Sequence, residues 1–316
     1  STFVLTDSKQ ILSNHQVTEI IMRYSVIIPV YNRPDEVDEL LQSLTQQTFT
    51  DFEVIVVEDG SSIPCKDVVE NYQNVLDVHY FNKPNSGPGQ TRNYGAERTK
   101  GEYLIILDSD CILPEGYFAA VEQELQSAPS DAFGGPDRAH ESFTDIQKAI
   151  NYSMTSFFTT GGIRGGKKKM DKFYPRSFNM GVRREVYQTL EGFSKMRFGE
   201  DIDFSIRIFK EGYKCRLFPG AWVYHKRRTD LKKFFKQVHN SGIARINLYK
   251  KYPESLKIVH LLPAAFTLGV GILLLCAPFC LYSLTPIALY ALLVFIDSSI
   301  QNKSLCIGVY SIAASF

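Results

Sequence analysis

The chain has 316 residues, of which 44% are hydrophobic and 22% are charged, and its net charge is +1. This length suits one large domain or two ordinary ones, and the balanced charge predicts no nucleic-acid partner. Six widely spaced cysteines without a CxxC pair predict reduced thiols, not a disulfide framework or a zinc site. Residues 1–23 show no signal-peptide pattern and are treated as an N-terminal extension without assigned chemistry.

Apolar and helical segments alternate over the first third of the chain. Strands are predicted at 24–31, 52–57, 75–81 and 103–107, and helices at 36–46, 67–72 and 87–99. This alternation predicts an α/β fold with a doubly wound parallel sheet and helices on both faces.

Two carboxylates, Asp108 and Asp110, follow the fourth apolar run and flank Ser109. A continuous apolar run is typical of a strand buried on both faces, and its carboxyl end is where open α/β sheets hold ligands. Buried carboxylates need a partner or a cation, and hard oxygen ligands suit Mg²⁺ or Mn²⁺. A polar turn after a strand is the alternative for this tripeptide taken alone.

A glycine-rich loop, Gly87-Pro-Gly89, opens the helix that carries Arg92. It lacks the third glycine of a dinucleotide-binding loop and the Gly-Lys-Ser/Thr of a P-loop. Backbone amides, the helix dipole and a guanidinium fork predict an anion site there. A plain helix cap with a surface arginine is the alternative.

The second half of the soluble part is less regular. A glycine- and lysine-rich stretch, 159–172, is either a lid over phosphate or a solvated loop. A helix is predicted at 182–190. Glu200, Asp201 and Asp203 lie at the start of the next helix. Helix capping would explain one of these acids but not all three. His225, near the end of a short strand, is a candidate metal ligand.

The C-terminal part changes in character. Residues 231–257 are basic and amphipathic, which suits a helix on an anionic membrane surface or an ordinary surface helix. No Lys, Arg, Asp or Glu occurs in 258–296, a length that holds about two membrane-spanning helices. The break between them is predicted at Ala277-Pro278, followed by a polar loop at 297–304 and a third apolar helix at 305–316 that is cut short. An apolar core hairpin of a soluble protein is the alternative.

Five motifs occur in an order that resembles family 2 glycosyltransferases of the GT-A fold, over about residues 24–228. They are Val26-Ile-Ile-Pro-Val-Tyr-Asn32, Val56-Val-Glu-Asp-Gly-Ser61, Gly87-Pro-Gly-Gln-Thr-Arg-Asn93, Asp108-Ser-Asp110 and Gly199-Glu-Asp201. Thr91 departs mildly from the family, which often has alanine there. The resemblance implies a catalytic domain at 24–230, and the composition described above predicts an interfacial helix region at 231–257 and transmembrane helices at 258–316.

The resemblance also implies a role for each site residue. Pro29, Tyr31 and Asp59 would hold the base and ribose of the donor, and Gly89 and Arg92 would lie near the base and diphosphate. Asp108 and Ser109 would bind the metal-diphosphate, and the ligands of Mn²⁺ or Mg²⁺ would be Asp108, Asp110 and His225. Glu200 would orient the acceptor, and Asp201 would be the general base.

The expected activity is metal-dependent, inverting transfer from a nucleotide-sugar, a UDP-sugar, to a hydroxyl of a glycan or lipid-linked acceptor. The expected location is a bacterial inner membrane with the catalytic domain in the cytoplasm. A membrane-anchored binding or assembly protein with a degenerate transferase domain is the alternative. A nucleotidyltransferase is disfavoured because no basic, glycine-rich loop follows the first strand.

Overall fold

The computed structural model describes residues 22–138, 140, 142–160, 173–226 and 228–316. The N-terminal extension up to residue 21 and residues 161–172 of the glycine- and lysine-rich stretch lie outside the described residues. All six cysteines lie inside them and are free thiols.

The described ranges contain ten strands. They are β1 (Tyr24–Val30), β2 (Phe52–Asp59), β3 (Val78–Lys83), β4 (Tyr103–Leu107), β5 (Cys111–Ile112), β6 (Ala132–Gly134), β7 (Asp137–Arg138), β8 (Asn179–Arg183), β9 (Cys215–Leu217) and β10 (Val223–His225). The main sheet has the order β3-β2-β1-β4-β8-β6-β9, and a smaller sheet has the order β5-β10-β7.

The helices of the described ranges lie between and after these strands. They are α1 (Pro34–Thr45), α2 (Lys66–Glu70), α3 (Pro88–Ala96), α4 (Tyr117–Ser127), α5 (Asp145–Thr155), α6 (Phe157–Thr160), α7 (Arg184–Thr189), α8 (Glu200–Lys210), α9 (Leu231–Lys251), α10 (Leu262–Cys276), α11 (Thr285–Asn302) and α12 (Leu305–Ser315). Short 3-10 turns lie at Pro253–Ser255, Ile258–Leu261 and Leu281–Leu284.

The first four strands of the sheet are parallel, as the alternation predicted. β1 pairs in parallel with β2 on one side and with β4 on the other. The residues of β4 are all buried, because helices cover both faces of the sheet. α3 packs closely there, since a Cβ on Gly95 would lie 2.8 Å from Cγ2 of Ile27. The carboxyl ends of these strands therefore meet at one edge.

Two predicted elements differ from the structure. The helix predicted from Val182 begins at Arg184 instead, because 179–183 form β8, which runs antiparallel to β4 and β6. Gly181 suits this strand, since a Cβ there would lie 2.1 Å from the Phe133 ring. The polar loop predicted at 297–304 is mostly helical, because α11 continues to Asn302.

α9 has two apolar faces. Its buried side chains are Phe234, Ala244 and Leu248, of which Ala244 and Leu248 lie next to Gly199 at the start of α8. Four other large apolar side chains of α9 are 43 to 74% exposed, and we call them the outer stripe: Phe235, Val238, Ile246 and Tyr249. The predicted apolar side is thus divided, because Phe234 points inward and Phe235 outward.

Two helical segments after α9 are long and apolar enough to cross a membrane, by length and composition. They are Ile258–Cys276 and Leu281–Asn302, with mean hydropathies of 2.2 and 1.7. α12 is shorter and packs against α11 and α5. The hydroxyls of Ser298 and Ser311 lie 2.7 Å apart between α11 and α12, and Tyr152 of α5 donates to Asp297 at 2.6 Å.

Candidate active site

The predicted site residues gather at the carboxyl edge of the main sheet. Pro29 and Tyr31 lie at the end of β1, Asp59 ends β2, Ser109 follows β4, and the acids of α8 and His225 of β10 approach from the other side. Tyr31 is 52% exposed, whereas Asp59 and Ser109 are buried. A shared edge brings together residues that are far apart in sequence.

Arg92 joins two of the acids. Its Nη2 donates to Oδ1 of Asp108 at 2.7 Å, and its Nη1 donates to Oε1 of Glu200 at 2.9 Å. The side chain is only 4% exposed, and its Nε has no hydrogen-bond partner among the described residues. Arg92 is therefore held by two carboxylates across the site, and it is not the surface arginine of the alternative interpretation.

The anion at the start of α3 is the protein's own Asp59. Its two oxygens each accept a hydrogen bond of 2.9 Å, one from the amide of Ser86 and one from the amide of Gly87. Lys83 also donates to this carboxylate. Burial opposes ionisation, but Lys83 and the amides outweigh it and hold the pKa of Asp59 below its usual range. The amides of Ser86 and Gly87 therefore face Asp59, and the anion site at the start of this helix stays a prediction.

Gly89 serves close packing. A Cβ at this position would lie 3.2 Å from Cγ of Glu200 and 3.3 Å from Cβ of Phe193. The absence of a side chain lets α3 approach the first turn of α8. This contact places Arg92, three residues further along α3, within reach of Glu200.

The small sheet brings His225 to Asp110. β10 pairs antiparallel with β5, so that His225 lies opposite Cys111, next to Asp110. Nε2 of His225 is 3.2 Å from Oδ1 of Asp110, and Arg33 donates a hydrogen bond of 3.0 Å to Oδ2 of Asp110. Burial favours protonation of Asp110, but His225 and Arg33 outweigh it and keep its pKa well below the usual range.

The group formed by Asp110, Cys111 and His225 fits a divalent cation. One ligand atom from each lies within 4.8 Å of the others. Oδ1 of Asp110 is buried and accepts no hydrogen bond of good geometry from a described residue. Burial raises the pKa of the Cys111 thiol, and its Sγ lies 3.3 Å from the carbonyl oxygen of Phe178. A carboxylate oxygen and an imidazole nitrogen suit Mn²⁺ better than Mg²⁺, which prefers oxygen.

Asp108 stands apart from this group. Its Oδ1 is bound to Arg92, and its side chain is 30% exposed. The two acids predicted as a pair thus face different partners. Arg92 binds Oδ1 of Asp108, and Oδ2 of Asp108 is the oxygen that this bond leaves free.

The two acids at the start of α8 have opposite pKa shifts. Burial raises the pKa of Glu200, against the opposing effect of Arg92. Burial also disfavours the ionised form of Asp201, but Arg176 and the amide of Ile202 outweigh it and lower the pKa. Nε of Arg176 donates to Oδ2 of Asp201 at 2.6 Å. Asp201 is therefore ionised at neutral pH.

The third acid of this turn has a structural role. Asp203 is fully buried and accepts hydrogen bonds from Lys251 at 2.5 Å, Tyr252 at 3.0 Å and Arg207 at 3.0 Å. It ties α8 to the end of α9 and does not face the site.

Sequence reasoning gave no role to three arginines near the acids, Arg33, Arg176 and Arg245, and proposed only that the basic residues after His225, which include Arg228, could face phosphate. Arg33 and Arg228 flank Asp110, and Arg176 binds Asp201. Arg245 of α9 interacts electrostatically with Arg176 and Asp201. Arg33 directly follows the first motif and Arg228 follows His225 by three residues, whereas Arg176 and Arg245 meet the site only through tertiary contacts.

A mostly parallel sheet with acids at its carboxyl edge, and a small second sheet that supplies a histidine, define a GT-A glycosyltransferase. Residues 25–191 match the model of Glycosyl transferase family 2, and the chain belongs to that family. An uncharacterised glycosyltransferase of Haemophilus influenzae is 32% identical over 219 residues, which are 66% of this chain and 70% of that protein.

Other relatives share a smaller part. An uncharacterised glycosyltransferase of Rickettsia bellii is 38% identical over 31% of this chain and 15% of its own length. The poly(ribitol-phosphate) beta-N-acetylglucosaminyltransferase TarS of Staphylococcus aureus is 40% identical over 28% of this chain and 16% of its own. This chain therefore spans well under two thirds of these two relatives.

Solved structures show the same fold. Mannosyltransferase PcManGT from Pyrobaculum calidifontis, in complex with GDP-Man and Mn²⁺, has a TM-score of 0.65 at 16% identity and covers 93% of this chain and 86% of its own. TarS 1-349 of S. aureus in complex with UDP-GlcNAc has a TM-score of 0.54 at 21% identity, and the match covers 72% of this chain and 67% of the TarS chain. The predicted fold and family are thereby confirmed, and the protein is a glycosyltransferase.

Proposed function

We propose that this protein transfers a sugar from a nucleotide-sugar, a UDP-sugar, to a hydroxyl with inversion, and that a divalent cation is required. The likeness to TarS, solved with UDP-GlcNAc, supports the donor class. The likeness to PcManGT, solved with GDP-Man and Mn²⁺, supports the cation. A Campylobacter jejuni relative, 34% identical over 35% of this chain, is named as acting on a diphosphate-linked undecaprenol glycan, which supports a glycan or lipid-linked acceptor.

One observation supports the proposal most directly: the ion pairs of Arg92 connect the two halves of the site. Asp108 and Glu200 bind the same guanidinium of Arg92, and Asp201 adjoins Glu200 at the start of α8. The donor side, at Asp108 and Asp110, is thereby held at a fixed relation to the acceptor side. An inverting displacement needs such an arrangement, because nucleophile and leaving group lie on opposite faces of the anomeric carbon.

Asp110 and His225, with the free carboxylate oxygen of Asp108, would hold the cation. When bound, it neutralises negative charge on the leaving nucleoside diphosphate. We assign the base and ribose of the donor to Pro29, Tyr31 and Asp59. To bind the nucleotide directly, Asp59 must release the amides of Ser86 and Gly87. If it keeps those bonds, it acts by holding the Gly87–Gly89 loop in place.

Asp201 would act as the general base. Its ionised carboxylate accepts the proton of the acceptor hydroxyl as that oxygen forms a bond to the anomeric carbon. The bond between the anomeric carbon and the diphosphate oxygen breaks at the same time. The products are the inverted glycoside and the nucleoside diphosphate, and Asp201 carries the proton. Glu200, held by Arg92, would orient the acceptor.

We also propose that the chain is attached to a bacterial inner membrane, with residues 24–230 in the cytoplasm, 231–257 at the interface and 258–316 in the membrane. Two apolar helices and the exposed outer stripe of α9 support this. A hydrocarbon environment accounts for the large exposed apolar surface, which is costly in water.

The test is a screen of nucleotide-sugars with the full chain in detergent and Mn²⁺ present. Release of UDP from a UDP-sugar is expected, together with transfer to an acceptor in a membrane extract. Binding of nucleotide-sugars without any turnover over the whole panel would contradict the proposal, and would instead indicate a binding or assembly protein with a degenerate transferase domain.

A further inference from the structure

A second group of candidate metal ligands lies at the amino edge of the main sheet, away from the candidate active site. Glu53 lies at the start of β2, Asp77 directly precedes β3, and His79 is the second residue of β3. One ligand atom from each lies within 4.8 Å of the others. Asp59, at the carboxyl end of β2, is six residues from Glu53, which is about 20 Å along a strand that rises about 3.3 Å per residue. This group is therefore separate from the cation group of the active site.

The parallel pairing of β2 with β3 brings the three side chains together. His79 is in register with Ile55, two residues after Glu53. The amide of Val54 donates to the carbonyl oxygen of Asp77 at 2.8 Å, which continues the pairing by one residue before β3. Because side chains two residues apart on a strand share a face, this register places all three candidate ligands on one face of the sheet.

Glu53 is a fully buried carboxylate with only one of its oxygens satisfied. Its Oε1 accepts hydrogen bonds from the hydroxyl of Ser25 at 2.6 Å and from the amide of Lys100 at 2.5 Å. Its Oε2 is buried and accepts no hydrogen bond from a described residue, and within the described ranges Glu53 takes part in no ion pair. Buried carboxylates are paired or bind a cation, so Oε2 is the atom that requires a positive partner.

His79 and Asp77 supply the other two ligand atoms. Nε2 of His79 is buried and lies 2.9 Å from Oδ1 of Asp77, but the contact does not have the angles of a hydrogen bond. Two ligand atoms bound to one Zn²⁺ at about 2.0–2.2 Å lie about 2.8–3.6 Å apart. An ordinary ion pair would explain His79 and Asp77 by themselves, but it would leave Oε2 of Glu53 without a partner.

We propose that Glu53, Asp77 and His79 form a Zn²⁺ site without cysteine. Zn²⁺ binds one imidazole and two carboxylates readily, whereas Mg²⁺ and Ca²⁺ prefer oxygen ligands alone. The side chains of His79 and Asp77 are 41% and 47% exposed, so a fourth position is open to water. β3 lies at one end of the main sheet, and its last residue, Lys83, binds Asp59. The cation holds this strand on β2, a structural role that does not depend on the proposed transfer activity.

The site is tested by Zn²⁺ binding to the full chain in detergent after treatment with a chelator. Asp110→Ala is the background, because it removes the acid of the active-site cation group. Equilibrium dialysis with metal analysis should find one Zn²⁺ per chain in this background. Glu53→Gln, which keeps an acceptor oxygen, and His79→Ala should each weaken binding by more than the about 10- to 100-fold that loss of an outer partner of a metal ligand costs. His239→Ala, at an exposed position of α9, should bind Zn²⁺ as the background does.

Equal Zn²⁺ affinities in His79→Ala and His239→Ala would overturn the proposal, as would a background that binds no Zn²⁺. Displacement of Zn²⁺ by an equal concentration of Mg²⁺ would also contradict it. If Glu53→Gln does not fold, His79→Ala decides, because its side chain is partly exposed.

The structural role is measured by unfolding of the chain with and without Zn²⁺. Zn²⁺ should raise the unfolding midpoint of Asp110→Ala, since a ligand that binds only the folded state stabilises it, and it should not raise that of the double variant with His79→Ala. Equal shifts in the two proteins would refute the role. Binding of UDP with Mn²⁺ should be unchanged in His79→Ala alone. Absence of turnover with every nucleotide-sugar would contradict the proposed function and would leave the Zn²⁺ result as it stands.

Discussion

Nε of Arg176 lies 2.6 Å from Oδ2 of Asp201 and donates a hydrogen bond to it. The pair joins the segment that precedes β8 to the first turn of α8. It keeps a buried carboxylate ionised, since burial alone would raise the pKa. A base with a lowered pKa accepts a proton weakly at equilibrium, so its contribution depends on its position next to the acceptor hydroxyl.

We expect Asp201→Asn to bind UDP as the parent does and to transfer sugar about 10²- to 10⁴-fold more slowly, because the amide cannot take a proton. Calorimetry with UDP and Mn²⁺ and a transfer assay measure the two quantities. Glu211→Gln, at the exposed end of α8, is the matched control. Transfer within a few-fold of the parent would exclude Asp201 as the base and leave Glu200 as the next candidate, because Asp203 is buried in structural bonds.

Arg176→Gln should shift the acid side of the pH profile of kcat. Arg176 lowers the pKa of Asp201 below its usual value, and burial opposes it. Without the arginine the pKa rises, so that Asp201 becomes protonated, and activity is lost, at a higher pH than in the parent. Arg176→Lys should shift the profile less. An unchanged acid limb in Arg176→Gln would mean that Asp201 does not control it.

The metal prediction concerns Asp110. We expect Asp110→Ala to abolish the dependence of UDP binding on Mn²⁺, because it removes the carboxylate that lies beside His225. Asp108→Ala should only weaken that dependence, since Arg92 occupies one of its oxygens. Titrations with and without a chelator measure both, and Asp51→Ala, exposed before β2, is the control. Retained Mn²⁺-dependent binding in Asp110→Ala would reject the assignment.

Arg92→Lys should destabilise the protein although it keeps the charge. A lysine cannot bind Asp108 and Glu200 at once with a planar fork. Lysine can keep only one of the two ion pairs, so the loss should be smaller than the about 3–5 kcal/mol that removal of a buried ionic partner costs, and a decrease of the unfolding midpoint of the solubilised full chain is expected. Arg98→Lys, on a partly exposed arginine after α3, is the comparison. A midpoint equal to that of the comparison would show that the bridge contributes little.

The membrane prediction concerns the whole chain. We expect it to sediment with bacterial membranes, to need detergent for release, and to resist protease added outside intact cells. Lysines and arginines at 226–228, 232, 233, 236, 250, 251 and 257 precede the first apolar span, as expected for a cytoplasmic flank. Recovery in the supernatant without detergent, or digestion of the catalytic domain from outside, would contradict attachment or orientation respectively.

The sequence alone predicted the fold class, because continuous apolar runs separated by amphipathic helices admit few arrangements other than a doubly wound sheet. Order and spacing of the five motifs predicted the family. The position of the candidate acids at one edge also followed, since the carboxyl ends of parallel strands meet there. β8 was missed because a short strand that pairs with distant β4 has no local pattern of its own.

The partners of the acids were decided by tertiary structure. Asp108 and Asp110 are two residues apart in sequence, yet one binds Arg92 of α3 and the other lies against His225 of β10. Sequence patterns report local periodicity, whereas hydrogen bonds and ion pairs depend on which side chains the packing of distant elements brings within a few ångströms. The packing of Gly199 on Ala244 and Leu248 of α9, which joins the start of α8 to a helix distant in sequence, is a relation of that kind.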